Sequence, residues 1–360
     1  MIKEIVDLTK VLVQFQTVHS KPAEIIRCAD FIEEYLKNIP VHYQRINQNN
    51  TPSFLVTPDS GVSTVLLMSH FDVVEGADHL FQPFEENGRL YGRGVLDDKY
   101  AVALSLVLLK THIKRLEKLG LTQKHLSFGI LLTGDEEAGG TDGANHVLPS
   151  VKTDFCIALD GGSLDEIITK EKGILLIKLI NKGRASHSAR PWLGDNAVDR
   201  LIADYQVIKT FFDLTTPDNW HRTLNLSTIN AGKSHNQVPD YAEAIMDVRY
   251  TEYDDMDELI VQIRQKIQGE LVVLRKDPLF FGHSTRYLDM LADSNAEIRI
   301  TAEHGSSDAR YLSAYGINGI VWGANGNLSH HSEKEHIEIE SISMLYERLD
   351  SFLQKNSEMN

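Results

Sequence analysis

Residues 126–140 read Leu126-Ser127-Phe128-Gly129-Ile130-Leu131-Leu132-Thr133-Gly134-Asp135-Glu136-Glu137-Ala138-Gly139-Gly140, an apolar run that ends in a glycine-rich acidic turn. The run from Leu126 to Leu132 predicts a buried strand, because short apolar segments bounded by turn residues are typical of the interior of an α/β sheet. The ends of such strands are where α/β folds present reactive groups. The side chains of adjacent residues at the end of a strand point in different directions. The carboxylate of one of the two residues Glu136 and Glu137 can therefore hold a metal ion, while the carboxylate of the other takes a proton from bound water. This pair indicates an enzyme.

Four further segments place acidic or imidazole side chains where an apolar run or a glycine loop ends. Histidine nitrogen and carboxylate oxygen are common zinc ligands, and the set is large enough for two ions that share one carboxylate. The segments supply His70 and Asp72 after residues 65–69, Asp97 and Asp98 in the loop 90–99, Asp160 after residues 155–159, and His330 and His331 in the polar loop 329–335.

Taken singly, each of these motifs has an ordinary structural explanation. A His-x-Asp pair such as His70 and Asp72 is more often hydrogen-bonded or at the surface than bound to a metal. An acidic doublet commonly lies in a solvated turn or at a helix N-terminus. Their shared placement at strand and loop ends favours one metal centre over independent coincidences.

Together the motifs resemble the dinuclear zinc exopeptidase and deacylase family, which includes acetylornithine deacetylase, succinyl-diaminopimelate desuccinylase, aminoacylase, glutamate carboxypeptidase and peptidase T. The resemblance covers nearly the whole chain, from the helical segment 1–18 to the segment 331–339. It implies two Zn²⁺ ions, and Co²⁺ or Mn²⁺ can take their place because mixed histidine and carboxylate ligands accept several metals. The implied ligands are His70 and Asp160 for one ion, Glu137 and His331 for the other, and Asp97 as the bridge between them.

The same resemblance implies the remaining roles. His331 is preferred to His330 because residues 331–335 match the family's His-x-x-x-Glu spacing. Glu136 is the implied general base, Asp72 orients His70, and the Asp97-Asp98 peptide bond is cis. His187 is implied to reach the active site of a partner subunit and to stabilise the oxyanion there.

Substrate contacts are implied for a further set of polar residues. Two of them have equally ordinary explanations, since Arg310 can form an ion pair with Asp308 at a helix start and Asn236 can be a turn residue. The implied contacts are Asn236, Ser306, Ser307 and Arg310.

The predicted fold class is α/β with two domains. The resemblance implies a zinc-exopeptidase catalytic domain, with a mixed central sheet flanked by helices, that is discontinuous and comprises residues 1–172 and 282–360. Between them, the pattern of residues 173–281 predicts the order β-α-β-β-α-β, which is a ferredoxin-like arrangement. We expect this inserted α+β domain to act as a lid and as the contact of a homodimer.

Composition narrows the class of partner. The chain has 360 residues, and 36 basic against 51 acidic residues give a net charge of −15, so nucleic acid is not an expected partner. The longest apolar stretch, Tyr100 to Leu109, is too short to cross a bilayer, and the charged opening helix is not a secretion signal. Cys28 and Cys156 lie in apolar contexts and are predicted to be buried free thiols, which fits a cytoplasmic protein.

The expected activity is hydrolysis of the amide bond of a short peptide or amino-acid conjugate by metal-activated water. The resemblance favours this substrate class because the family's di- and tripeptidases usually carry aspartate at the position of Asp160, whereas its deacylases usually carry glutamate. An N-acyl-amino-acid deacylase, such as acetylornithine deacetylase or succinyl-diaminopimelate desuccinylase, is the alternative. Two other classes are a non-catalytic binding relative and a metal-dependent phosphoesterase, although no basic or glycine-rich phosphate cradle accompanies the site.

Overall fold

Residues 1–293 and 298–358 are described by a computed structural model. Their contacts separate the chain into a first unit, Met1–Lys170, Gly282–Ala302 and Ser307–Asn360, and a second unit, Glu171–Phe281 and Glu303–Ser306. Residues 294–297 and 359–360 of the predicted catalytic domain lie outside the described residues.

The helices of the described chain are numbered in sequence order. They are α1 (Ile2–Val13), α2 (Pro22–Lys37), α3 (Lys99–Lys118), α4 (Ala144–Val147), α5 (Ala197–Lys209), α6 (Met256–Lys266), α7 (Arg286–Asp293), α8 (Ala309–Ala314) and α9 (Ile339–Glu358).

The strands are numbered in the same way. They are β1 (Gln44–Gln48), β2 (Thr51–Val56), β3 (Val62–His70), β4 (Phe84–Glu86), β5 (Arg89–Tyr91), β6 (Phe128–Thr133), β7 (Lys152–Ala158), β8 (Glu166–Glu171), β9 (Gly173–Lys182), β10 (Thr223–Ala231), β11 (Tyr241–Tyr250), β12 (Glu270–Asp277), β13 (Phe280–Phe281), β14 (Arg299–Glu303), β15 (Gly319–Val321) and β16 (His336–Glu338).

The main sheet of the first unit has the strand order β1-β2-β6-β3-β7-β15-β8, and β14 pairs with β8. Strands β3, β6 and β7 run parallel, with His70 opposite Thr133 and Met68 opposite Ala158. Strand β2 pairs antiparallel to β6, so the sheet is mixed. All six residues of β6 are buried, as expected for an inner strand covered on both faces. Because parallel strands end at one edge, this register brings the residues that follow β3, β6 and β7 together.

Helix α3 contains the longest apolar stretch of the sequence, Tyr100 to Leu109. It is buried without interruption from Lys99 to Leu109 and then becomes amphipathic, so it extends to Lys118. The hydrophobic core of the first unit unites α3 with α1, α2, α9 and the inner face of the sheet. The predicted α/β class, with a mixed central sheet flanked by helices, is confirmed.

The second unit has the predicted order β-α-β-β-α-β. Its four strands form an antiparallel sheet in the order β10-β11-β9-β12. Buried and half-buried residues alternate along β9, and the buried face packs in a core with α5 and α6. Side-chain oxygens of Asn196 and Asp255 cap the N-termini of these two helices. The lid and dimerisation roles of residues 173–281 remain predictions.

Both cysteines are free and buried, as predicted. Burial raises the pKa of the Cys28 thiol to about 12, so the reactive thiolate is suppressed. Among the described helices, none combines the length and apolar character that a membrane span requires. The cytoplasmic location remains a prediction.

Candidate active site

Five segments of the first unit carry the predicted metal ligands to one place. His70 is the last residue of β3, and Glu137 lies in a 3₁₀ turn, Glu136–Ala138, that follows β6. Asp160 follows β7, Asp97 precedes α3, and His331 lies in the loop before β16. The residues needed for two metal sites therefore come from strand ends and loops, as the sequence predicts.

Asp97 lies between the two histidines. Its Oδ1 is 2.9 Å from Nε2 of His70, and its Oδ2 is 3.0 Å from Nε2 of His331. The peptide bond between Asp97 and Asp98 is cis, as the resemblance implied. One carboxylate thus presents an oxygen to each side, which is the geometry required of a ligand shared by two ions.

Two groups of ligand atoms surround Asp97. The first consists of His70, Glu136 and Asp160, and the second of Asp97, Glu137 and His331; within each group the ligand atoms lie within 4.8 Å of one another. In the second group, Nε2 of His331 is 3.0 Å from Oε1 of Glu137. The first group includes Glu136, which the sequence assigned to proton transfer and not to metal binding.

Asp72 holds both His70 and the acidic turn. Nδ1 of His70 is 3.1 Å from the main-chain carbonyl of Asp72 and 3.4 Å from its carboxylate Oδ1. The main-chain N–H of Glu136 donates to Oδ1 of Asp72 at 3.1 Å, and that of Glu137 donates to Oδ2 at 2.9 Å. Asp72 therefore contacts the imidazole mainly through its main-chain carbonyl, while its carboxylate accepts both N–H groups of the Glu136-Glu137 turn, a contact that the sequence did not suggest. That Asp72 orients His70 for metal binding remains a prediction.

The electrostatics of the site are dominated by crowded negative charge. Burial and the charges of Asp160 and Asp308 raise the pKa of Glu136 well above its usual range. Burial and the charge of Asp97 raise the pKa of Asp160 to about 7. Hydrogen bonds to Asp97 and Glu137 raise the pKa of His331 to about 10. For Glu136 and Asp160 burial is the larger cause and repulsion between neighbouring carboxylates adds to it, whereas for His331 the neighbouring carboxylates stabilise the charged imidazolium.

The same residues fit a divalent metal ion. Nε2 of His70 is buried and, among the described residues, makes no hydrogen bond of acceptable geometry although Asp97 and Asp160 face it. A buried polar atom without a hydrogen bond is costly, and coordination to a metal would satisfy it. Imidazole nitrogens and carboxylate oxygens are the donors that zinc accepts.

Arg310 lies beside Glu136. Its guanidinium is buried, with Nη1 3.5 Å from Oε1 of Glu136 and Nη2 3.4 Å from Oδ1 of Asp308. Nη1 also donates to the carbonyl of Ser307 at 2.9 Å. The ion pair with Asp308, left open by the sequence, is present at the start of α8. Contact of Arg310 and Ser307 with substrate remains a prediction.

The remaining predicted residues belong to the second unit. His187 and Asn236 are exposed and lie on adjacent segments, because His187 pairs with Gln237 and the N–H of Ser188 donates to the carbonyl of Asn236 at 3.0 Å. Ser306 is half-buried. The second unit thus groups His187 with Asn236, and their catalytic and substrate roles remain predictions.

The sequence did not reveal the roles of Glu335 and Arg93. In the sequence, Glu335 served only to mark the spacing from His331. In the structure its buried carboxylate accepts the main-chain N–H of Gly94 at 2.8 Å and forms an ion pair with Arg93 at 2.5 Å. Charged side chains such as these are rarely buried in a protein core unless they are paired with an opposite charge. A charged residue at a fixed distance from a ligand is the signal that could have found them.

Comparison with known proteins shows a family match and similar sequences. Residues 66–355 match the peptidase family M20/M25/M40. Over 364 residues the chain is 26% identical to succinyl-diaminopimelate desuccinylase of Corynebacterium glutamicum, covering 96% of this chain and 95% of that protein.

Solved structures show the same fold. Aminopeptidase PepT from Bacillus cereus superposes with a TM-score of 0.79 at 18% identity, covering 99% of both chains. The Bacillus subtilis protein YXEP, described as a dinuclear metal-binding peptidase, superposes with a TM-score of 0.67 at 13% identity, covering 98% of this chain and 97% of that one.

Proposed function

Because the chain belongs to the peptidase family M20/M25/M40 and is a hydrolase of amide bonds, we propose that it cleaves a short peptide or amino-acid conjugate at a dinuclear zinc centre. The proposed ligands are His70 and Asp160 for one ion, Glu137 and His331 for the other, and Asp97 for both. The family resemblance inferred from the motifs is confirmed by the match over residues 66–355.

One observation carries the proposal. Asp97 directs one carboxylate oxygen to His70 and the other to His331, at 2.9 and 3.0 Å, so that two ligand groups share it. A single metal site would not need a carboxylate placed between two histidines. Metal-dependent chemistry of the family agrees with this arrangement, while the identity of the metal is part of the proposal.

The residues around the centre have distinct tasks. Metal ions bound there would polarise the scissile carbonyl and acidify a bound water. Glu136 takes the proton from the attacking water and returns it to the leaving amine. Its position is set on two sides, by the Asp72 carboxylate that accepts its main-chain N–H and by the Arg310 guanidinium 3.5 Å from its Oε1. Such double support keeps a base within reach of its proton.

A second candidate is removal of a succinyl or other acyl group from an amino acid. It is favoured by the 26% identity to a desuccinylase over 96% of this chain. The aspartate at position 160, which by the family resemblance is typical of the di- and tripeptidases, favours peptides instead. Identity at this level does not transfer a substrate, so activity must decide between the two.

The deciding experiment compares substrates on the Zn²⁺- and Co²⁺-loaded protein. Dipeptides and tripeptides are assayed beside N-acetyl-ornithine, N-succinyl-diaminopimelate and N-acetyl-methionine, and we expect kcat/KM to be highest for a peptide. An acylated amino acid that exceeds every peptide tenfold, about 1.4 kcal/mol of transition-state preference, would reverse the order. A phosphate monoester serves as a control for the phosphoesterase alternative.

We further propose that the active form is a homodimer joined through the second unit. Strand β10 is an edge of the four-stranded sheet, and it exposes 52% of Ile229, while α5 exposes 50% of Ile202. Edge strands carry unpaired main-chain groups that readily pair with another strand. A second copy of β10 would satisfy those groups and cover the exposed isoleucines.

In such a dimer, His187 completes the partner's site. We expect the His187→Ala and Glu136→Gln proteins to be nearly inactive separately, yet to recover activity when co-expressed with different tags. Each hybrid dimer then has one site with intact Glu136 and a partner's intact His187. With random pairing, about one quarter of wild-type activity returns, because a symmetric dimer has two equivalent sites.

The matched control pairs His187→Ala with the double variant His187→Ala/Glu136→Gln. Its hybrids contain no intact His187, so no activity should return. A monomer at assay concentration, or equal activity in both mixtures, would refute action across the dimer.

A further inference from the structure

We propose that Arg93 and Glu335 form a clamp that positions His331 and Asp97 for the second metal ion. The inference rests on the proposed metal centre. Both side chains are almost fully buried, at 4% and 1% exposure, and their ion pair joins Arg93 Nη1 to Glu335 Oε2 at 2.5 Å. This ion pair is the clamp.

Glu335 fixes the loop that carries Asp97. Its Oε1 accepts the main-chain N–H groups of Gly94 at 2.8 Å, Leu96 at 3.2 Å and Asp97 at 3.4 Å. The main-chain carbonyl of Glu335 accepts the N–H of Gly92 at 3.2 Å. Hydrogen bonds to a charged carboxylate are stronger than hydrogen bonds to a neutral acceptor. A carboxylate that accepts several main-chain N–H groups therefore holds their loop in one conformation.

Arg93 fixes the other loop. From the segment that carries Asp97, its Nη2 donates to the carbonyl of His331 at 3.2 Å. Each ligand loop therefore supplies the charged residue that grips the other, and the two contacts close a ring. Movement of either ligand would have to break part of the clamp.

His331 is the ligand that most needs this support. Its side chain is 48% exposed, against 16% for Asp97 and 12% for Glu137, so packing restrains it least. Its backbone also has a φ of 61°, a left-handed conformation that a residue other than glycine adopts at a cost. The contact from Arg93 to the carbonyl of this same residue helps to hold that conformation.

Two substitutions distinguish an effect of the clamp on metal binding from its effect on the stability of the fold. Arg93→Met removes the contact to His331 and leaves the Glu335 carboxylate buried without its partner, which destabilises a fold. Adding Glu335→Gln removes that unpaired charge and keeps an oxygen for the amides of the Asp97 loop. The double variant should therefore regain stability without regaining the contact to His331.

Binding is measured on metal-free protein with Zn²⁺ against a competing chelator, and with Co²⁺ by its absorption bands. Reference variants His70→Ala and His331→Ala identify which of two binding events belongs to which ligand group. We expect Arg93→Met and the double variant Arg93→Met/Glu335→Gln to weaken the His331-dependent event about 10–100-fold, the usual effect of losing a residue that orients a ligand. The other event, which depends on the clamp only through the shared Asp97, should weaken clearly less.

A matched control is Arg115→Met, which removes an ion pair with Asp350 between α3 and α9 in the same unit. It should lower the unfolding temperature of the metal-free protein and leave both binding events unchanged.

Several results would overturn the clamp. They are wild-type affinity in the double variant, equal weakening of both events, the same weakening in Arg115→Met, or a double variant without a cooperative unfolding transition. If Arg93→Met alone fails to fold, the double variant still gives the answer. Wild-type protein that binds fewer than two ions would instead refute the proposed dinuclear centre.

Discussion

Replacing Glu136 by glutamine should lower kcat/KM about 10²–10⁴-fold, or about 3–5.5 kcal/mol, while both metal ions stay bound. Glutamine has nearly the same shape, and the main-chain hydrogen bond from residue 136 to Asp72 does not depend on the side chain. What disappears is the ability to accept a proton from the attacking water. Steady-state kinetics and metal analysis of the same preparation measure the two effects.

The neighbouring residue provides the contrast. Glu137→Gln makes the same chemical change one position along the turn, but its Oε1 lies 3.0 Å from Nε2 of His331 in the second ligand group. It should lose one metal ion, with activity falling as a consequence. If Glu136→Gln loses metal in the same way, then Glu136 is a ligand of the first group and not the base.

Removing the charge of Asp97 should have the broadest effect on metal binding. Asp97→Asn replaces one of the two shared oxygens by an amide nitrogen that cannot coordinate, and it removes the negative charge that faces both His70 and His331. Because it acts directly on both groups, we expect each ion to bind more than about 100-fold more weakly, beyond the effect of an outer-shell partner.

Activity of Asp97→Asn should then be undetectable at metal concentrations that saturate the native protein. The measurement is a titration of metal-free protein with Zn²⁺, read by a competing chelator. Asp98→Asn is the useful comparison, because the Asp98 carboxylate accepts the main-chain N–H of His70 and belongs to neither ligand group. Weakening of only one binding event in Asp97→Asn would exclude a shared ligand.

The sequence predicted the parts of the site that have a local cause. Apolar runs that end in glycine and acid mark strand ends, so the positions of His70, Glu136 and Asp160 followed from short stretches of chain. The order of strands and helices in residues 173–281 was equally predictable. Apolar residues alternate with polar residues along a strand but recur every three or four residues along a helix. The first helix of that order is α5, which ends at Lys209 and is followed by a 3₁₀ turn, Thr210–Phe212.

Contacts between distant residues could not be read in this way. Arg93 and Glu335 are 242 positions apart in the sequence. The residues next to each of them do not form an apolar pattern that would predict its burial. The partner of Arg310 could not be predicted either, because a guanidinium can bind a substrate or an internal carboxylate. Only the folded chain shows that it lies beside Asp308. Burial of a charge is a property of tertiary structure, so periodicity does not report it.

The interruption of the first unit by the second has a consequence for synthesis. A nascent chain emerges from the ribosome with His70, Asp97, Glu137 and Asp160 early, but His331 and Glu335 emerge only after the whole segment Glu171–Phe281 has been translated. At about 5–20 residues per second, translation of that segment takes roughly 6–22 seconds, during which the second unit can fold as a nearly continuous stretch. Until then the early ligands have no partner loop. With the proposed ligands, hydrolytic activity therefore requires translation to continue past His331, and a chain that stops before this residue lacks one member of the second ligand group.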